Sequence, residues 1–146
     1  MSAAATPQAR AEAAAAALFA RDSAAQALGM RIVRVSPGAA QVSMRVRPDM
    51  LNGHGSCHGG LIFALADTAF AFACNSHNER TVAAAASIDF LAAAAPGDDL
   101  RAEALELWRA RRHGIYEITV FNQDGARIAL FRGRSHRIDG HVVATE

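Results

Sequence analysis

The sequence predicts an α+β fold in which an antiparallel β-sheet wraps around one long central α-helix, with a further helix at the N-terminus. Three observations predict it. One strongly apolar helical stretch, Leu61 to about Ser76, is interrupted by Asp67, and no second long apolar helix follows. On both sides of it the chain breaks into short alternating segments bounded by turn residues. A lone apolar helix among antiparallel strands hides its surface only if the strands wrap it.

The elements follow in order. Met1 to Ala5 reads as a loose end. Thr6-Pro7 is a helix start: a hydroxyl at the N-cap and a proline at the first helical position, where its missing N–H costs nothing. Alanine-rich Gln8 to Ala20 continues that helix, and Leu18 and Phe19 give it apolar groups to dock with. After Gly29 come two strands, Met30 to Val35 and Gln41 to Arg47, around a turn at Ser36-Pro37-Gly38. The second alternates, with Val42, Met44 and Val46 on one face and Gln41, Ser43, Arg45 and Arg47 on the other. Pro48 ends it. A glycine- and histidine-rich loop, Asn52 to Gly60, leads into the apolar helix. Val82 to Leu91 reads as a strand, and Pro96-Gly97-Asp98-Asp99 as a turn. In Leu100 to Arg112, Leu100, Ala104, Leu107 and Trp108 fall at helical spacing among good helix formers, so propensity favours a helix. Ile115 to Phe121 alternates as a strand, Asn122-Gln123-Asp124-Gly125 is a hairpin turn, and Arg127 to Ile138 is the last strand. No repeat or linker divides the chain, so residues 1–146 read as one domain.

Composition narrows the function. Apolar residues make up 51% of the chain, much of that alanine, so the core holds small side chains and closely approaching elements. A net charge of +1 argues against a nucleic-acid binder, which needs a basic excess. Two cysteines, Cys57 and Cys74, are too few for a disulfide framework. The N-terminus lacks the pattern of a signal peptide, and the apolar run is too short to span a bilayer. The expected setting is the reducing cytoplasm, with no membrane partner.

The chemistry concentrates in Asn52-Gly-His-Gly-Ser-Cys-His-Gly-Gly60 and the helix after it. Gly59 and Gly60 stand where the helix begins. The first N–H groups of a helix lack internal partners and carry partial positive charge, and glycine lets a ligand oxygen approach them. That is the requirement of an oxyanion hole. Asp67 lies seven residues past Gly60, close to two turns, with small Ala64 and Ala71 on its face and no cation one turn away. Burial of such a carboxylate raises its proton affinity, which suits a general base for water.

The run from Asn52 to Asn78 resembles the phenylacetate-degradation thioesterases of the hotdog superfamily. The shared pattern is Asn-Gly-His, then His-Gly-Gly, then Leu-Ala-Asp-Thr-Ala-Phe on the helix, about a fifth of the chain. The resemblance implies a hotdog fold and hydrolysis of acyl-CoA thioesters, with an aryl-acetyl or hydroxylated aryl-acetyl group. It implies Asp67 as general base or nucleophile, an N–H of Gly59 or Gly60 on the thioester carbonyl, Asn52 placing water or thioester, His58 beside the carbonyl-binding turn, and Thr68 hydrogen-bonding within the site. It also implies a homodimer or a dimer-of-dimers tetramer, with Asp67 and Gly59 of one site drawn from different chains. It turns Leu100 to Arg112 into a strand, against propensity. No cofactor is needed, coenzyme A being part of the substrate.

Other readings of the same residues are weaker. His54, Cys57 and His58 invite a metal, but glycines break the segment and no four-ligand spacing is present, so no metal is expected. Ser56, His58 and Asp67 could form a triad on paper, yet no nucleophile elbow surrounds Ser56. Arg109, Arg111, Arg112 and His113, with Arg132, Arg134 and Arg137, form two basic clusters. Most read as a solvated face, while Arg111 and Arg134 are candidates for the phosphates of coenzyme A. A hotdog hydratase or dehydratase would need an acid–base pair that the helix lacks. A non-catalytic acyl-CoA binding protein is the remaining rival, separated by turnover.

Overall fold

The computed structural model describes residues 4–145. The part of the expected loose end before Ala4 lies outside the described residues. Helix α1 (Pro7–Arg21) begins as the sequence predicts: Thr6 Oγ1 accepts the Ala9 N–H at 3.1 Å, with Pro7 in the first turn. Its buried face is alanine only, Ala11, Ala14 and Ala15, which lets the helix sit close to the core. Asp22 then ends α1 and caps a second helix, α2 (Ser23–Ala27), accepting the Ala25 N–H at 3.0 Å. Sequence reasoning placed no helix there, because five residues are too few to show a period.

The remaining elements are β1 (Arg31–Ser36), β2 (Ala39–Arg45), α3 (Gly59–Cys74), β3 (Glu79–Phe90), β4 (Asp99–Ala110), β5 (His113–Phe121) and β6 (Arg127–His141). The strands form one six-stranded antiparallel sheet in the order β1-β2-β4-β5-β6-β3. Helix α3 lies along it, burying Leu65, Ala66, Ala69 and Phe70 among inward side chains such as Val42, Leu100, Ile118 and Phe131. The helix starts at Gly59, two residues before the predicted Leu61, because His58 caps it with its own side chain.

Leu100 to Arg112 is a strand over most of its length, as the family resemblance implies, and its helix-forming residues are overruled. Burial alternates: Leu100, Ala102 and Ala104 face the core, while Arg101 points out. β2 and β5 flank the segment and satisfy its backbone on both edges. That pairing outweighs the few tenths of a kcal/mol per residue at stake in helix propensity.

At Gly133 of β6 helix and sheet approach closely. A methyl group there would stand 2.7 Å from Phe70 Cζ. The Phe70 ring cannot retreat, since it packs against Tyr116 at 5.4 Å and Phe131 at 6.0 Å between centroids. Gly133→Ala is therefore expected to lower stability by about 1–3 kcal/mol, the usual cost of overpacking. Chemical denaturation would show it, and an unchanged midpoint would refute the close-approach account.

β3 is an edge strand, hydrogen-bonded only to β6. Its residues from Val82 to Ser87 are exposed in the single chain, although five of the six are Val or Ala. Phe90 at its end is also exposed, at 54%.

Candidate active site

The loop before α3 is built by Asn52. Its Oδ1 accepts the N–H groups of His54 at 2.9 Å and Ser56 at 3.3 Å, and its own N–H donates to the Ser56 carbonyl at 2.8 Å. The turn reading of Asn-Gly is correct, and it uses Oδ1. Among the described residues the Asn52 side-chain amide N–H donates to no protein acceptor, which leaves it for a ligand.

His58 sorts the two glycines. Its Nδ1 accepts the Gly60 N–H at 3.1 Å, which makes it the N-cap of α3. The Leu61 N–H donates to the His58 carbonyl at 2.9 Å. Among the described residues the Gly59 N–H makes no such bond. Of the two glycines, Gly59 holds the free donor, at the positive end of a 16-residue helix. The Phe90 ring lies against it, so that a methyl group at position 59 would stand 3.1 Å from Phe90 Cζ. Asn52, Gly59, Ile62, Phe90 and Leu91 share a cavity of about 360 Å³. Sequence reasoning missed Phe90, because nothing local links a strand end to a helix start so far back along the chain.

Asp67 opens elsewhere. It is half-buried in the wall of a second cavity, of about 400 Å³, lined also by Phe70, Ala71 and Val82 and by Leu18, Arg21 and Asp22 of the α1–α2 corner. Among the described residues its carboxylate accepts no hydrogen bond and forms no ion pair. Burial pushes its proton affinity above the ordinary aspartate value, and the negative charge of Asp22 adds to the rise. Gly59 and Asp67 are eight residues apart, about 12 Å along the helix axis. In one chain they cannot address the same carbonyl carbon.

The other expected residues are placed as follows. The Thr68 hydroxyl donates to the Ala64 carbonyl of its own helix at 2.7 Å, leaving only its lone pairs for a ligand. Arg111 stands exposed in the β4–β5 turn, with a left-handed φ of 54°. Arg134 stands exposed on β6, opposite Ile115. Their neighbours are committed to acids: Arg109 to Glu79, Arg112 to Asp139, Arg132 to Glu117, and Arg137 to Glu79. Among the described residues Arg111 and Arg134 have no acidic partner. Both cysteines are buried and free. Burial raises the Cys57 thiol, and burial with the nearby Asp67 charge pushes Cys74 up to about 12. In both places burial opposes the thiolate form that a cysteine nucleophile needs. Among the described residues no cluster of three His, Cys, Asp or Glu side chains is gathered as for a metal. No helix among the described residues is long and apolar enough to cross a membrane.

Comparison with known proteins fits this geometry to a family. The pattern of the thioesterase superfamily matches residues 54–129. The acyl-coenzyme A thioesterase PaaI of Escherichia coli is 48% identical over 127 residues, covering 87% of this chain and 91% of that protein. The solved structure of the E. coli PaaI protein, from the phenylacetic acid degradation operon, superposes with a TM-score of 0.92 at 46% identity, over 93% of this chain and 99% of that one. A mutant of the phenylacetic acid degradation protein PaaI from Thermus thermophilus superposes at 0.77 with 37% identity, over 80% of this chain and 100% of that one. The antiparallel sheet around α3 is the hotdog fold, and the chain belongs to the thioesterase superfamily.

Proposed function

We propose that the protein hydrolyses acyl-CoA thioesters, with an aryl-acetyl or hydroxylated aryl-acetyl acyl group, by Asp67-assisted attack of water. One observation carries the reading: a half-buried, unpaired carboxylate opens on an apolar cavity, in a helix whose N-terminus offers a free Gly59 N–H. Asp67 takes a proton from water as the water oxygen adds to the thioester carbon. The Gly59 N–H holds the developing oxyanion, with the Asn52 amide beside it. The carbon–sulfur bond then breaks, and the coenzyme A sulfur leaves with the proton that Asp67 took up, which returns the carboxylate to its ionised form. His58 acts as a positioning residue, fixing the Gly60 N–H and so the helix start.

The separation of about 12 Å between Gly59 and Asp67 supports a site completed by a second copy of the chain, with Asp67 of one protomer facing Gly59 of its partner. The protein then works as a homodimer or a dimer of dimers, each chain acting as one domain. Arg111 and Arg134, without acidic partners, serve the phosphates of coenzyme A, which enters as part of the substrate and is the only cofactor-like group required. Free, buried Cys57 and Cys74 fit the cytoplasm.

The test is a screen of aryl and straight-chain acyl-CoAs with detection of free thiol, before and after chelator treatment. Turnover that survives the chelator is expected. Turnover lost to chelator and restored by a divalent ion would instead favour metal chemistry at His54, Cys57 and His58.

The raised proton affinity of Asp67 gives a pH dependence with a definite sign. The base works ionised, so the ascending limb of kcat/KM lies above the ordinary aspartate value of about 3.9. Asp22→Asn removes the neighbouring negative charge and keeps the helix cap, so the limb moves to lower pH. A limb that stays in place would show that Asp22 has no influence on the base. Stability runs the opposite way. From the unfolded value up to the raised folded one, the native protein binds more protons than the unfolded chain, so stability falls as pH rises through that window.

A further inference from the structure

We propose that the corner between α1 and α2 is a specificity wall, in which Leu18 closes the apolar cavity beside Asp67 and sets the size of acyl group admitted. The proposal rests on the thioesterase reading and adds where selectivity resides. The cavity, at about 400 Å³, has the size of a small-molecule site. On the α3 side Asp67 is followed one turn later by Ala71, whose small side chain leaves room beside the carboxylate. The α1–α2 corner contributes Leu18, Arg21 and Asp22 to the same lining.

Two further observations make this a wall rather than a loose flap. The buried face of α1 is alanine throughout, and Phe19 meets Phe72 of α3 edge-on at 6.4 Å between centroids. Leu18 is therefore held at a fixed distance from α3.

The experiment compares wild type with Leu18→Trp and Leu18→Ala on acetyl-CoA and phenylacetyl-CoA, reading the ratio of the two kcat/KM values. A pocket contact of this kind is worth roughly 10–200-fold in discrimination. Leu18→Trp fills the cavity and is expected to lower the phenylacetyl-to-acetyl ratio about tenfold or more. Leu18→Ala widens the cavity and is expected to shift preference toward a longer aryl-acyl group, phenylbutanoyl-CoA, by several-fold. Should the tryptophan variant fail to fold, Leu18→Phe takes its place with the same sign. Ratios within twofold of wild type in folded Leu18 variants overturn the wall while leaving the thioesterase reading intact. A wild-type protein that hydrolyses no acyl-CoA overturns that reading, and the wall with it.

Discussion

Asp67→Asn is expected to lower kcat/KM for acyl-CoA hydrolysis by about 10²-fold or more, the range for loss of a general base. The substitution keeps the shape of the side chain and removes its basicity. Near wild-type hydrolysis by a folded variant would end the assignment. Stability supplies an independent check. The carboxylate is half-buried, and among the described residues it has no partner, so removing it leaves nothing unsatisfied and relieves a desolvation cost. Asp67→Ala should therefore match or exceed wild type in a denaturation midpoint at pH 7, helped by alanine's helix propensity. A structural carboxylate would instead cost about 1–3 kcal/mol when lost. The comparison needs matched protein concentration, because dissociation of an oligomer is coupled to unfolding. A clearly lower midpoint with hydrolysis retained would make Asp67 a structural residue.

Ala86→Arg is expected to leave the fold intact, shift the protein toward monomer and reduce turnover by about 10²-fold or more. Ala86 lies in the middle of β3, opposite Gly133 of β6, in the stretch exposed in the single chain. A long, apolar edge strand with unpaired backbone groups is a template for pairing, and a charge at its centre opposes that pairing. The catalytic effect follows from geometry rather than from the arginine itself. If Gly59 and Asp67 act across the interface, a monomer holds both halves of a site and completes neither, losing the contribution of an oxyanion donor or of the base. Light scattering and steady-state kinetics on the same sample check the two effects together. A monomeric variant with full activity would refute the shared site, and a wild-type protein that is monomeric at micromolar concentration would do so without any substitution.

Much of this architecture was legible because it is written locally. Thr6-Pro7, the alternation in β2, the Asn-Gln-Asp-Gly turn and the long apolar run of α3 each specify their own element. The motif from Asn52 to Asp67 likewise carried its residues onto a helix start and a helix face. What stayed hidden depends on contacts distant in sequence. β4 has helix-forming residues, and only its place between β2 and β5 makes it a strand. The resemblance to a family corrected that reading where propensity could not. His58 was visible, but its choice of Gly60 over Gly59 is a matter of ring orientation at a cap. Spacing on a helical wheel put Gly60 and Asp67 on one face, yet it could not reveal that the free donor at Gly59 and the carboxylate open into separate cavities. Leu18 was legible as a docking residue and Phe90 as part of a strand's end. That one lines the cavity of Asp67 and the other covers Gly59 appears only after folding.

The strand order also has a consequence in time. β3 pairs with β6 from Glu79–His141 to Phe90–Ala129, so each partner lies about 39 to 62 residues further along the chain. At a synthesis rate of roughly 5–20 residues per second, β3 leaves the ribosome about 2–12 seconds before its partner exists. Over that interval an alanine- and valine-rich strand has neither a neighbour nor a layer to cover it, and α3 has emerged without most of its sheet. Late, long-range closure of this kind slows folding and lengthens exposure to wrong pairing. Nascent chains halted before β6 should be bound by chaperones and degraded readily, whereas chains released after His141 should not. The strand offered for assembly in the finished protein is thus also the segment most exposed during its synthesis.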